Sequence, residues 1–410
     1  MLADLYKKEG ILLGVAMGIE YPEYFSDPGA EYAALTMRAA LIDLTHWGVL
    51  RVSGKDRIRF LNAMLTNDVA SLPQGQACRS ALATVKGKLV AEIVAIPRGN
   101  DVFLFVVQGD TKAVRDILER HIIMDDVALA NESGALGILG VEGPKASEVL
   151  LRLLSKEALP SERFRFIECQ FEKANILILN NTVTGEAGHH LLIPAGELKR
   201  IREFLIQSGR ACDMACLGRI AWNMRRAENG IPWFGVDVSD NNFPLEVRMD
   251  DVVNYAKGCF IGQEPLARIR HRGRVNRHLV GLVPDGALPD EVRTRFPIFD
   301  GKTAESFDVR IERLAGTPID SLDLNGFFPA GAELFAAEPA EFTMDNAASG
   351  ASVKERKCVG WITSSVFSPK LGNPLLLGHL KREFTEPGTS LILRANDQEF
   401  KIKVTTLPVE

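Results

Sequence analysis

Apolar residues recur with two periods in the first half of the chain, and together they predict two similar blocks of mixed structure. Val49 to Ser53 alternate as a strand. Gly54-Lys55-Asp56 then turns into a helix over Arg57–Leu65, with Phe60, Leu61 and Leu65 at helical spacing. Strands are expected near Cys78–Thr84, Leu89–Ile96 and Val102–Val107, then a helix from about Thr111 to His121 and a strand ending near Ala130. The order repeats. Ala135–Val141 reads as a strand, and Glu142-Gly143-Pro144-Lys145 turns into an amphipathic helix through Leu154. Pro144 suits a first helical turn, where its missing N–H costs nothing. Strands at Ile176–Leu179 and His190–Ile193 and a helix from Gly196 to Ser208 complete the second block. Each block has the form of a split βαβ unit, with helices over one face of a sheet.

The pattern changes near residue 286. Residues 286–350 are rich in Pro, Gly, Asp and Ala, and no helical period runs beyond a turn or two. From Val359 to Val409, short strands alternate with Asn-Pro, Pro-Gly and Asn-Asp turns. A small β-barrel or sandwich carrying a loop-rich insertion over about 290–350 is expected there. The fold class is therefore α+β.

Composition narrows the function. The 410 residues suggest two to four domains, and 46% hydrophobic with 25% charged residues is ordinary for a chain with a real core. A net charge of -5 and a pI near 5.9 argue against a nucleic-acid binder. Six cysteines, at 78, 169, 212, 216, 259 and 358, are too sparse for a disulfide scaffold. Cys212 and Cys216 read as two core thiols on a helix rather than as a zinc site, because no second Cys/His pair lies near them. The charged start and the lack of an apolar run of about 18 residues point to a cytoplasmic protein with no membrane partner. No phosphate-cradling glycine motif and no H-E-x-x-H motif occurs, and no metal is expected. The adjacent His189 and His190 point apart on a strand.

Three runs carry candidate chemistry. In Lys257-Gly258-Cys259-Phe260-Ile261-Gly262-Gln263-Glu264, two glycines bracket a cysteine in what reads as a tight loop. Lys257 is placed to favour the Cys259 thiolate; the plainer reading is a cysteine packed as a small hydrophobe. In Arg268-Ile269-Arg270-His271-Arg272-Gly273-Arg274 the arginines alternate. On a strand they would share one face, suited to an anion such as a carboxylate, a phosphate or a polyglutamate tail. The other reading is a solvated edge strand. In Arg226-Ala227-Glu228-Asn229-Gly230-Ile231-Pro232, Glu228 precedes a turn and could accept two N–H donors from a flat heterocycle, or it could be a surface residue.

The first of these runs matches the K-G-C-[FY]-x-G-Q-E signature of YgfZ-type folate-binding proteins. Other segments resemble the wider glycine-cleavage T-protein (aminomethyltransferase) superfamily in order: Asp43-Leu44-Thr45-His46-Trp47, Leu65-Thr66-Asn67-Asp68-Val69, Gly143-Pro144-Lys145-Ala146, Thr184-Gly185-Glu186-Ala187-Gly188, Gly230-Ile231-Pro232, and Val359-Gly360-Trp361-Ile362-Thr363-Ser364 followed by Ser368-Pro369-Lys370-Leu371. Only about 290–350 lies outside the resemblance. It implies three domains around a folate-holding opening: a discontinuous folate-binding domain at 1–51 plus 133–280, an α+β domain inserted at 52–132, and a C-terminal barrel at 281–410. The cofactor implied is tetrahydrofolate or a one-carbon derivative. Carried over by position, Glu228 grips the pterin, Lys257 is a basic folate contact and Trp47 lines the pocket; Cys259 is the reactive group, and Arg268, from the arginine run, is a basic contact for the folate's glutamate tail.

One departure separates the branches. Aminomethyltransferases carry G-G-x-x-D-D where this chain has Lys86-Gly87-Lys88-Leu89-Val90-Ala91-Glu92, so the aspartate that assists one-carbon transfer falls on Ala91. Alanine cannot share a proton. Glu92 lies next to it on a strand and so faces the other side. The YgfZ-type resemblance implies a folate-dependent protein that supports assembly or repair of iron–sulfur enzymes, tRNA-modifying ones included, with those enzymes or their assembly factors as partners. The alternative is a folate-dependent aminomethyltransferase or demethylase.

Overall fold

The computed structural model describes residues 2–16, 18–154, 158–286, 330–337, 357–395 and 398–409. The chain forms two compact units, Met1–Asn223 with Pro232–Arg274, and Met224–Ile231 with Val275–Glu410.

The first unit contains two large sheets. One has six strands in the order Phe166–Phe171, Ala174–Asn180, Gly188–Pro194, Leu136–Glu142, Ala40–Asp43 and Ala215–Leu217, antiparallel except for the last, parallel pair. The other has five antiparallel strands in the order Cys78–Ala83, Leu89–Arg98, Asp101–Val107, Gly48–Ser53 and Ala128–Asn131.

Alternating side chains explain how the layers stack. In Leu89–Arg98, Ala91, Ile93 and Ala95 join a core with Phe60 and Leu61 of the helix Arg57–Met64 and Val114 and Leu118 of the helix Thr111–Arg120. Val94 and Ile96 face the other way and pack with Phe105, Ile42, Leu177 and Leu192, so the two sheets meet face to face. The far side of the six-stranded sheet, through Leu41, Val141, Ile178 and Leu191, covers Leu198, Ile201 and Leu205 of the helix Leu198–Gly209. The unit is thus helix, sheet, sheet, helix. Both faces of each sheet are covered, which is why central strands read as nearly unbroken apolar runs.

The second unit holds a closed barrel whose strands run Arg277–Pro284, Asn373–Lys381, Cys358–Ser368, Glu333–Ala336, Ser390–Ala395, Gln398–Thr405 and back to the first. Leu282, Leu334, Ile362, Leu376, Leu393 and Ile402 fill its interior. Ala227, Leu279, Val366, Leu375, Leu377 and Val409 form a second, smaller core.

The mixed architecture and the barrel agree with the α+β expectation, and three details correct it. Glu333–Ala336 lies inside the stretch expected to be loop, yet it pairs with both Cys358–Ser368 and Ser390–Ala395 and completes the barrel. Most of the remaining 290–350 stretch falls outside the described residues. The helix after Pro144 spans only Ala146–Leu150. Cys212 and Cys216 do not share a helix: Cys212 ends a 3-10 turn, Asp213 adopts φ 52°, and Cys216 lies on the strand Ala215–Leu217. Among the described residues, no helix is long and apolar enough to cross a membrane.

Candidate functional site

The loop at 257–262 is built from two anchors and a tip. Lys257 is buried, and its ammonium donates to the carbonyls of Asn62 (2.6 Å), Leu65 (2.7 Å) and Asn67 (2.8 Å). Burial draws it down to about 8, while Asp68 and the Cys78 thiol pull it the other way. The second anchor is Phe260, buried with Ala81, Leu89, Val247 and Leu266. The Ile261 N–H donates to Ala63 O at 3.1 Å. Between the anchors, a side chain at Gly258 would meet open space, and Cys259 is exposed. A cysteine is therefore held out at a tip pinned on both sides. The ammonium of Lys257 is committed to carbonyls, and the thiol with which it interacts electrostatically is the buried Cys78, whose own pKa burial pushes up to about 12.

The same loop meets the Lys86-Gly87-Lys88 turn. Gly262 has φ +82°, and a Cβ there would lie 2.5 Å from Thr84 O and 3.1 Å from Gly87 Cα, so only glycine fits. Lys88 donates to Asn241 O at 2.7 Å and sits over the Phe243 ring. Two motifs some 170 residues apart in sequence, read separately from the chain, are thus in contact (Gly87 against Gly262). Near this turn, Ala91 is fully buried. The Glu92 carboxylate pairs with Arg79 Nε at 2.6 Å, and Arg79 also binds Asp251 at 2.7 Å. The one carboxylate beside Ala91 in sequence is thus engaged in an ion-pair network.

The arginine run is a helix, not a strand: Gln263–Arg272 is helical, closed by Gly273 at φ +61°. Gln, Glu, Leu, Ala and Arg favour helix, and the polar alternation lacked the apolar partner positions a strand needs. At 3.6 residues per turn, neighbours two apart diverge by about 200°, so Arg268 and Arg270 leave the helix on nearly opposite sides. Arg268 is exposed and pairs with Glu264 at 2.6 Å; Arg270 lies over the Tyr255 ring at 4.3 Å.

Trp47 lies in the core between the two sheets, a different cluster from that of Phe260, with His190 edge-on at 5.3 Å. Tyr21, Trp222 and Trp233 belong to the same cluster, Trp222 stacked on Trp233 at 4.8 Å. His46 packs against Tyr21 at 4.7 Å, and burial lowers its pKa to about 3, so the ring is neutral. The sequence reading gives no role to Tyr21, Trp222 and Trp233; the available signal was three aromatics in segments outside the predicted elements.

Glu228 belongs to the second unit. Only 1% exposed, it is held by donors from the barrel and from its own helix. Oε1 accepts from Ser368 Oγ (2.6 Å) and the Lys370 N–H (3.1 Å), and Oε2 from Arg225 (2.9 Å). Lys370 Nζ donates to Val409 O at 2.6 Å, and the Val409 N–H donates to Glu228 O at 2.8 Å. In the sequence, Ser368 stands out only as part of the family-like segment Ser368-Pro369-Lys370-Leu371.

Comparisons with known proteins agree with this architecture. A model of the GCVT N-terminal domain matches residues 2–257, and a model of the glycine cleavage T-protein C-terminal barrel domain matches 340–409. An aminomethyltransferase of Bacillus subtilis is 30% identical over 285 residues, 68% of this chain and 78% of the relative. One from Chlorobium phaeovibrioides is 26% identical over 398 residues, 96% and 93% of the two chains. The crystal structure of glycine cleavage system aminomethyltransferase T from Bartonella henselae matches 99% of this chain and 96% of its own at a TM-score of 0.76 and 21% identity, a likeness of fold.

Proposed function

The chain belongs to the glycine-cleavage T-protein family, and from that premise we propose that it is a YgfZ-type tetrahydrofolate-binding protein that supports the assembly or repair of iron–sulfur enzymes through Cys259. The observation that carries this reading is the loop at 257–262, which buries Lys257 and Phe260 and leaves the thiol between them at the surface. A thiol so placed is open to a partner protein while its backbone stays fixed. The buried Ala91, with Glu92 engaged by Arg79, supports the same branch, because no free carboxylate from this strand is offered for one-carbon transfer.

The residues suit a folate. Ser368, Lys370 and Arg225 orient the Glu228 carboxylate, and a carboxylate is the natural acceptor for the ring N–H and amino group of a pterin. Tetrahydrofolate, when bound, supplies a carrier for one-carbon units. In this reading Lys257 serves as the anchor that fixes the thiol-bearing loop, Trp47 as part of the apolar wall, and Arg268 as an outer basic contact.

A second reading, folate-dependent aminomethyl transfer, is favoured by the printed names of the relatives. One experiment separates them: iron–sulfur enzyme activity in cells lacking this protein, resupplied with wild type or Cys259→Ala. Rescue by wild type alone supports the proposal. If enzyme activity never depends on the protein, while purified protein releases a one-carbon unit onto tetrahydrofolate, the transferase reading replaces it.

A further inference from the structure

We infer that Ser368 is a positioning residue: its hydroxyl fixes the Glu228 carboxylate in the orientation that recognises the amino edge of a pterin. The inference rests on the reading of Glu228 as the pterin contact.

Ser368 is the last residue of the barrel strand Cys358–Ser368 and is fully buried. Its oxygen accepts the Leu371 N–H at 3.1 Å. That bond occupies one lone pair and leaves the hydroxyl hydrogen for Glu228 Oε1 at 2.6 Å. The Lys370 N–H, from the same turn, reaches the same oxygen at 3.1 Å. Two donors converging on one oxygen, with Arg225 on the other, determine the plane of the carboxylate. The turn is itself tied down, because Lys370 Nζ holds Val409 O and the Val409 N–H holds Glu228 O. Helix end, turn and the segment after the last strand thus close a ring of hydrogen bonds around one acidic side chain. A carboxylate that must meet two coplanar N–H groups gains more from a fixed plane than from extra charge, and a buried hydroxyl supplies that fixity.

The test is calorimetric titration of the full chain with two ligands: tetrahydrofolate, and its 2-desamino analogue, which lacks the exocyclic amine. Ser368→Ala should weaken tetrahydrofolate about tenfold and leave the analogue within about twofold, so that discrimination between them collapses. Ser368→Thr, which keeps the hydroxyl, should restore it. Thermal melts of each variant accompany the titrations; where Ser368→Ala does not fold, Ser368→Cys, of similar volume but a weak donor, takes its place with the same expectation. Equal weakening of both ligands, or no change in either, overturns the inference. If wild type binds tetrahydrofolate and Glu228→Gln does not, yet Ser368→Ala matches wild type, the inference alone fails. If wild type does not bind tetrahydrofolate, or Glu228→Gln binds as wild type does, the reading of Glu228 fails and the inference with it.

Discussion

Two carboxylates, one in each unit, are buried to the same degree and satisfied in opposite ways. Glu142 ends the strand Leu136–Glu142 and is answered by one short turn: the Val183 N–H at 2.7 Å, the Thr184 N–H at 3.1 Å, the Thr182 hydroxyl at 2.7 Å and the Thr184 hydroxyl. His190 adds a longer contact at 3.5 Å. Glu228 is answered by donors that are remote in sequence, Ser368 lying 140 residues away, together with a cation from its own helix. The first arrangement closes a loop onto a sheet, and it leaves the acid no other task. The second brings a barrel turn and a helix end together on one acid, the residue proposed above as the pterin contact. Equal burial thus conceals two kinds of partner set, one local to a single turn and one drawn from distant elements.

The largest expected effect follows for Glu142→Ala. Removal strands two buried N–H groups and two hydroxyls, and a loss of about 3–5 kcal/mol is expected in chemical denaturation. Glu142→Gln, which keeps one acceptor oxygen, should lose about half as much. A loss for the alanine variant below about 1 kcal/mol would show that the turn finds other partners, and the contrast would break. Glu228→Ala comes next. Arg225 keeps some access to water, its side chain being 18% exposed, so the fold should lose only about 1–3 kcal/mol while tetrahydrofolate binding disappears. Matching stability losses at the two positions, with folate binding intact, would remove the distinction.

The same contrast explains what could be read from the sequence. The five-stranded sheet and its two helices were legible nearly to the residue, because strand and helix periods there are local and uninterrupted: Leu89–Ile96 was expected and Leu89–Arg98 is found. The loop around Cys259 was legible too, since paired glycines mark a turn that only glycine at Gly262 can make. What escaped were partnerships. Glu142 and Thr184 both lay in segments read for their turns, and nothing local says that one satisfies the other. The arginine run misled because charge alternation is not apolar alternation; Leu266, buried on the inner face of the helix, carried the truer signal. Glu333–Ala336 was hidden because four residues of strand within a stretch rich in Pro, Gly and Ala leave no period to detect.

A third buried acid gives the finest test of the contrast. The Glu31 carboxylate accepts from the N–H groups of Phe25 at 2.6 Å, Ser26 at 2.7 Å and Gly218 at 2.7 Å, and from the Ser26 hydroxyl at 3.4 Å. Burial raises its pKa from 4.5 to about 7 against these bonds. A folded-state value above the unfolded one means that the folded chain binds the extra proton between the two. The stabilisation from this group is complete below about 4.5 and is lost as pH rises through about 7. Glu31→Gln has no proton to lose. The stability of wild type relative to that variant should therefore fall by about 3 kcal/mol between those two pH values and stay level on either side. Denaturant melts of both proteins at half-unit pH steps measure it. A level difference throughout would mean that the hydrogen-bond donors offset burial and leave the pKa of the acid at its unfolded value. Glu31 would then join Glu142 as an acid governed by the turn and strand ends that surround it.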